Sequence, residues 1–426
     1  MKITANPSQH SSQAIMATCP ACGLLCDNIV INSQHPVKVI DSKQSCPKSI
    51  AFFEQALETT TPSLAGKPTD LKTAIKAVAD ILDKSNQPLF AGLGTEVQGM
   101  RALMRLAEKT GATLDHMHSE TTVRNTLALQ NGGGQTTTLT EIKNRADVIL
   151  VIGTDIATSH PRFFDKLVWN SDSLFDKPSP EVIYLDVAEE KTTAGISPAG
   201  KRPTVVNADI ANLPEIINAL NALANGKKLH TDQVAGVAVA SLNNILESLK
   251  AAQYAVIVWS ASSLKFTHAE LAIQSITRLI VKLNETNRVA GLPLNTGDGD
   301  TSVNYTSTWL SGYPTRNRFS NGNPEYDNYQ FSSKQQLKNC DALLWVSTFN
   351  AYQPPQADIP TIVIGHPNMQ FDVAPDVFIP VGIPGLDHTG TMFRMDGSVV
   401  LPLKKIRNAD LPSLSQVIHQ IEALLA

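Results

Sequence analysis

One feature limits the fold of this 426-residue chain more than any other. Short, wholly apolar runs alternate with longer stretches that carry apolar residues every three or four positions. Pro88–Leu93, Asp147–Ile152, Val182–Val187, Tyr254–Trp259, Ala342–Val346 and Thr361–Ile364 read as buried strands, and Thr113–Met117 as a further candidate. Between them, Leu71–Lys84 carries Leu71, Ile75, Val78, Ile81 and Leu82 on one helical face. Met100–Lys109 reads as a helix that meets Gly111 where a C-cap belongs. His268–Leu283 and the closing Leu411–Leu425 complete the helical set. Strands that alternate with helices predict an α/β fold of parallel sheets wrapped on both faces, with ligands bound beyond the carboxyl ends of the strands. Two stretches break the pattern. Asp186–Asn212 reads as a surface loop, and Leu292–Ser333, rich in Gly, Asn, Tyr and Ser, as a long functional or interface-forming loop. The expected division is an N-terminal lobe at 1–60, an α/β domain at 61–230, and a second α/β domain at 231–426 that holds the loop 292–333.

Composition supports a packed core: 42% of residues are hydrophobic and 17% charged. A net charge of −4 excludes the broad basic surface of a nonspecific nucleic-acid binder. The longest apolar runs fall far short of the roughly 20 residues of a membrane span. Met1–Ala17 is polar, with one lysine at Lys2 and no apolar segment, so no signal peptide and a cytoplasmic location are expected.

Four of the five cysteines cluster. Cys19, Cys22 and Cys26 stand in C-P-A-C-G-L-L-C-D, and 19 residues separate Cys26 from Cys46, which opens C-P-K-S. Clustered, odd-numbered cysteines favour metal binding over a disulfide framework. Four thiolates suit a [4Fe–4S] cluster or a tetrahedral zinc, and the plainer reading is a set of buried free thiols. Gly23 is expected to let the backbone turn tightly around a cluster. Lys48 is either a cation beside that site or a solvated lysine.

This opening, followed by α/β segments, resembles the molybdopterin oxidoreductases. The whole chain resembles the B subunit of formylmethanofuran dehydrogenase more closely. The resemblance rests on CPACGLLCDNI at 19–29, EIKNRADVILVIGTD at 141–155, SHPRFF at 159–164, WLSGYP at 309–314, FSNGNPEYDN at 319–328 and GTMFRMDG at 390–397, and runs from about residue 15 to about 405. It implies doubly wound domains of the molybdopterin oxidoreductase type, like domains 1–3 of formate dehydrogenase, with a small cysteine-bearing lobe. It also implies a bis-pterin tungsten or molybdenum centre held by a protein cysteine in a short C-H-G stretch, and Cys19, Cys22, Cys26 and Cys46 as ligands of a [4Fe–4S] cluster.

Here the chain departs from the pattern. The stretch reads His118-Ser119-Glu120-Thr121-Thr122-Val123-Arg124, with Thr121 at the cysteine position and Thr122 at the neighbouring histidine. A thiolate suits a high-valent group-6 metal, whereas a threonine hydroxyl ionises far less readily and the imidazole proton acceptor is gone. Ser119 is a weaker oxygen candidate with nothing nearby to ionise it. The departure fits the B subunit of the bacterial formyltransferase/hydrolase complex. That resemblance implies a noncatalytic scaffold in one-carbon (formaldehyde) oxidation, without molybdopterin or tungstopterin. Its implied partners are an amidohydrolase A subunit, a C subunit, a formyltransferase D subunit and a methylofuran-type carrier. The second reading is a working tungsten or molybdenum formylmethanofuran dehydrogenase. Superfamily members usually end in a further β-rich domain, so the early stop at Ala426 implies hetero-oligomeric assembly.

Lesser candidates remain. Gly153-Thr154-Asp155 would edge a pterin nucleotide if one were bound, or cap a helix. Gly132-Gly133-Gly134 is a phosphate cradle or, more simply, a turn. His160-Pro161-Arg162 would hold an anion or start a helix. Arg316 and Arg318 would meet a polyglutamate tail. Asp387-His388-Thr389 lacks a companion nucleophile for hydrolysis. Cys340, Tyr254, Trp259, Trp309 and Trp345 read as packing residues.

Overall fold

A computed structural model describes residues 14–425 apart from 35, 42, 59, 60 and 321. The N-terminal stretch expected to lack a signal peptide therefore lies, up to residue 13, outside the described residues. Two sheets organise the chain. The larger has nine strands, in the order Asn323–Tyr326, Asn317–Ser320, Thr113–Leu114, Pro88–Gly94, Ala342–Ser347, Thr361–Gly365, Val377–Pro380, Ser63–Leu64 and Lys67–Pro68. Its five central strands are parallel, and antiparallel hairpins close both edges. The smaller sheet is wholly parallel, in the order Thr204–Val206, Glu181–Leu185, Val148–Ile152, Ala255–Ser260 and Val289–Leu294.

The apolar runs form these strands because both of their faces are buried, which suits residues with no polar side to present. Every residue of Val148–Ile152, Ala255–Ser260 and Ala342–Ser347 is buried. Helices Leu71–Lys84, Val97–Thr110 and Leu414–Glu422 cover one face of the larger sheet with Ile75, Val78, Met100, Leu103, Val417 and Ile421. Asp70 caps the first of these by accepting the Thr73 N–H at 2.9 Å. Gly111 ends the second at φ 71°, in the left-handed conformation a C-cap needs. On the other face Leu89, Trp345, Val363 and Phe378 meet residues such as Leu337, Met369 and Phe371, beside the short helix Ser333–Gln336.

Three expectations change. Strands Val148–Ile152 and Ala255–Ser260 are hydrogen-bonded neighbours, so a division near residue 230 falls inside one sheet. The larger sheet likewise joins residues 63–114 with residues 317–380. The stretch 292–333 is not a loop: it holds helix Asp300–Ser311 and the hairpin Asn317–Ser320/Asn323–Tyr326. That helix shows little apolar period because its buried face is Asp300, Ser302, Val303, Thr306 and Ser307. The candidate strand at 113–117 stops at Leu114, where Asp115 and His116 turn into a buried polar cluster.

The cysteine lobe is a three-stranded antiparallel sheet (Ala14–Ala17, Ile29–Asn32, Lys38–Val39) with helix Pro47–Phe53. Its Leu24, Leu25, Ile29, Ile31, Phe52 and Phe53 share one apolar core with Ile149, Val151, Val256 and Val258 of the smaller sheet. The lobe is thus seated on that sheet through a shared apolar core.

Candidate functional site

The carboxyl ends of the parallel strands of both sheets carry the polar residues. Thr95 and Glu96 follow Pro88–Gly94, Asp115 to His118 follow Thr113–Leu114, and Thr348 and Asn350 follow Ala342–Ser347. From the smaller sheet, Gly153–Asp155 follow Val148–Ile152 and Asn295–Asp300 follow Val289–Leu294. The cysteine lobe sits against the carboxyl end of the smaller sheet, where Lys48 meets Ser159 and Gly23 meets Asn295.

Cys19, Cys22, Cys26 and Cys46 all line one small pocket. Lys48, Pro161 and Arg162 complete its wall. The loop closes on itself where the Cys19 N–H donates to the Cys26 carbonyl at 2.9 Å. The non-glycine that adopts the left-handed conformation is Leu25, at φ 44°. Gly23 is required for a different reason: a Cβ there would lie 2.4 Å from Asn295 Oδ1. Burial, then the charge of neighbouring thiolates, pushes the Cys19 thiol well up. Burial carries Cys22 to about 11 although Lys48 pulls it down, and raises Cys26 although Lys166 and Arg162 pull it down. Such thiols ionise when a cation enters among them. Among the described residues, no three His, Cys, Asp or Glu side chains are grouped closely enough to hold one metal ion.

Polar bonds fix the lobe to the strand ends of the smaller sheet and the segment 159–162. Lys48 is half-buried, and its ammonium donates to the Ser159 carbonyl at 2.8 Å, so it is not a solvated lysine. His160 meets Ser159 Oγ at 3.0 Å and Asn295 Oδ1 at 2.9 Å, and burial lowers its pKa to about 4. Asn295 Nδ2 donates to Asp300 Oδ1 at 3.1 Å. Arg162 donates to the Gln44 carbonyl, to Asn28 and to Asp165. The residues 160–162 therefore work as a tether. Pro161 lies in a turn between helix Ile156–Ser159 and the π-helical turn Phe164–Val168, not at a helix start.

Thr121 and Thr122 lie in the first turn of helix Ser119–Gly132. Their hydroxyls donate to the His118 carbonyl at 2.9 and 3.3 Å, turned back onto the helix. The polar groups facing this turn escaped sequence reasoning. His116 Nδ1 accepts the His118 N–H at 3.1 Å, so Nε2 carries the proton and donates to the Asp298 carbonyl at 3.2 Å. His118 Nε2 meets Asp298 Oδ2 at 2.9 Å, and Asn350 donates to the other carboxylate oxygen. Asp298 takes φ 51°, between Gly297 and Gly299. The run N-T-G-D-G-D at 295–300, with glycines on both sides of Asp298, was the available signal.

The remaining candidates resolve simply. Thr154 accepts from Ser263 at 3.1 Å, and Asp155 caps Ile156–Ser159 through the Thr158 N–H at 3.0 Å while pairing with Lys191. Gly133 ends helix Ser119–Gly132 at φ 71°. Arg316 is buried against Glu120, Asp115 and Ser119, and Arg318 pairs with Glu325 at 2.8 Å, so neither guanidinium is free for a carboxylate tail. Asp387 clamps Arg407 at 2.7 Å, and His388 faces the carbonyls of Thr389 and Gly382. Cys340 and Trp345 are core residues, Trp259 bonds Asn125, and Tyr254 bonds Thr137. Trp309 is not a packing residue: 64% of it is exposed.

No family model matches the chain. It is 30% identical over 338 residues to the B subunit of the formyltransferase/hydrolase complex of Methylorubrum extorquens, covering 77% of this chain and 86% of that protein. It is 27% identical over 408 residues to the B subunit of a tungsten-containing formylmethanofuran dehydrogenase of Methanococcus maripaludis, covering 92% and 93%. Its fold matches a chain in the crystal structure of the Methylorubrum extorquens formyltransferase/hydrolase complex with methylofuran. There the TM-score is 0.72 and the identity 26%, over 85% of this chain and 98% of that one. No helix among the described residues is long and apolar enough to cross a membrane.

Proposed function

The chain belongs to the family that joins the B subunits of the formyltransferase/hydrolase complex and of formylmethanofuran dehydrogenase, and from that premise we propose that it is the noncatalytic, scaffold-like B subunit of a formyltransferase/hydrolase complex. The complex would convert formyl-tetrahydromethanopterin to formate by way of formyl-methylofuran in one-carbon oxidation. The partners would be an amidohydrolase A subunit, a C subunit and a formyltransferase D subunit, with a methylofuran-type carrier moving among them. Both sheets would be domains of the molybdopterin oxidoreductase type.

The observation that carries the choice is at Thr121 and Thr122. Their hydroxyls are spent on the His118 carbonyl, and neither offers the soft, readily ionised ligand that a tungsten or molybdenum centre takes. The donor set at that place does not fit the metal, and no redox step is assigned to the chain. Gly153, Thr154 and Asp155 would reach a pterin only if one were bound, and their capping and pairing support a structural role.

Four cysteine thiols on one pocket are a donor set of the kind a cubane takes. A [4Fe–4S] cluster holds its thiolates at four corners, farther apart than ligands of one ion. Four thiols line one pocket here, which is what supports this reading. Cys19, Cys22, Cys26 and Cys46 would hold it, and Lys48 and Arg162 would offset its negative charge. When bound it supplies a crosslink among four points of the lobe, and one-electron capacity if a partner uses it.

Isolation of the tagged chain from its own cells tests the reading. The expected result is stoichiometric recovery with a formyltransferase and an amidohydrolase, and formate release from formyl-tetrahydromethanopterin. Dye reduction driven by formylmethanofuran would overturn it.

A further inference from the structure

Helix Asp300–Ser311 is turned the wrong way round for a free surface. Its buried side is Asp300, Ser302, Val303, Thr306 and Ser307. Its outer side carries Tyr305 (46% exposed), Trp309 (64%) and Leu310 (47%), continued past the helix by Tyr313 (40%). Surface helices place hydroxyl side chains outward and aromatic ones inward, because burial of apolar area is what holds them in place. Here the large apolar groups are the ones left in water.

The patch is also rigid. Tyr305 packs against Phe393 with ring centroids 5.3 Å apart, and Tyr313 stacks on Tyr326 at 5.5 Å and 2°. Aromatic side chains bury roughly 150–250 Å² each, so four large side chains about half exposed present on the order of 400 Å². A standard interface takes about 800 Å² per partner, with an apolar centre inside a polar rim. The patch is the size of such a centre. Trp and Tyr dominate interface energetics, and Arg is enriched beside them. Arg101 supplies that element: its guanidinium lies 5.9 Å over the Trp309 ring, and among the described residues it has no carboxylate partner.

We propose that the Tyr305–Trp309–Leu310–Tyr313 face, with Arg101 at its rim, is where another polypeptide of the complex docks, presenting an apolar surface with a carboxylate opposite Arg101. The unpaired cation sets the partner's charge and argues against a second copy, which would bring Arg101 against an arginine-bearing face. The inference rests on the functional reading above and adds to it the surface used.

The test is co-purification and binding with the full set of subunits from the native source, comparing wild type, Trp309→Ala and Arg101→Glu. Because Trp309 is exposed, Trp309→Ala should keep the wild-type thermal melt while weakening association at least about 30-fold. Arg101→Glu should slow association roughly tenfold at low salt, with the difference shrinking as salt rises. If wild type binds its partners and Trp309→Ala binds them equally well, the docking face is wrong while the functional reading stands. If the isolated chain is a dimer that Trp309→Ala dissociates, the occupant is a second copy and the proposal fails. If wild type binds no other polypeptide of the complex, both fail.

Discussion

The cysteine pocket and the first turn of helix Ser119–Gly132 are the two places where the resemblance to formylmethanofuran dehydrogenase implies metal, and they differ in what their side chains are doing. In the pocket, all four soft ligands line one space and cations stand on the wall. In the helix turn, the two hydroxyls point back at the main chain. In the proposed reading the staple of the lobe and the centre that would use its electrons have come apart: this chain would keep the chemistry for one and not for the other. A cluster that crosslinks a loop-rich lobe stabilises it whether or not electrons pass. A group-6 metal without its thiolate has no comparable reason to stay.

The largest effect expected from that contrast is at the cysteines. Replacing Cys19 or Cys26 with serine should take iron from about four atoms per chain to near none, read by metal analysis of the anaerobically purified complex. Full iron in either variant would break the comparison on the pocket side.

The next effect is pH dependence at the tether. Burial depresses His160 from the ordinary 6.5 to about 4, so the unfolded chain binds a proton that the folded chain refuses. The stability this residue supports is complete above about pH 6.5 and is lost as pH falls toward 4. The shift corresponds to about 3 kcal/mol. His366, whose ring bonds Gln55 at the end of the lobe segment, is lowered to about 4 by burial and loses stability over the same window. Urea melts at pH 7 and pH 5 should show the loss, and His160→Gln should flatten part of it.

A smaller effect lies at the seat of the lobe. Gly23→Ala places a methyl against Asn295 and should cost about 1–3 kcal/mol. In the background of Asn295→Ala, which removes the obstructing side chain, the same change should cost less. Equal costs in both backgrounds would show that the contact is not what requires glycine.

The smallest effects are at the threonines. Thr121→Val with Thr122→Val removes two hydrogen bonds at a helix start and should cost no more than about 1–2 kcal/mol. Thr121→Cys with Thr122→His should bring no tungsten or molybdenum into the chain. Retention of either metal would mean that only the ligand, and not the rest of the site, had been lost.

Sequence pattern reached far into the core because buried parallel strands must be apolar throughout. Helix Leu71–Lys84 was legible to the residue, and Val148–Ile152 and Ala342–Ser347 nearly so. Helices Ser119–Gly132 and Asp300–Ser311 were not, since each is packed through small or hydroxyl side chains that leave no apolar period. The interleaving of the two sheets escaped because strand order is not a local property: Val148–Ile152 finds its neighbour at Ala255–Ser260. The same holds for the site. The cysteines announce themselves through spacing. The bonds of His118 to Asp298 and His160 to Asn295 join residues 180 and 135 positions apart, and nothing in either segment alone points to the other.

The most direct test of the central claim is iron, tungsten and molybdenum content, with bound pterin, measured on the complex purified anaerobically with its native partners. A noncatalytic subunit that keeps only its cysteine site should give about four iron atoms per chain attributable to this polypeptide, with neither group-6 metal nor pterin. Tungsten or molybdenum near one per chain, with pterin, would contradict that claim.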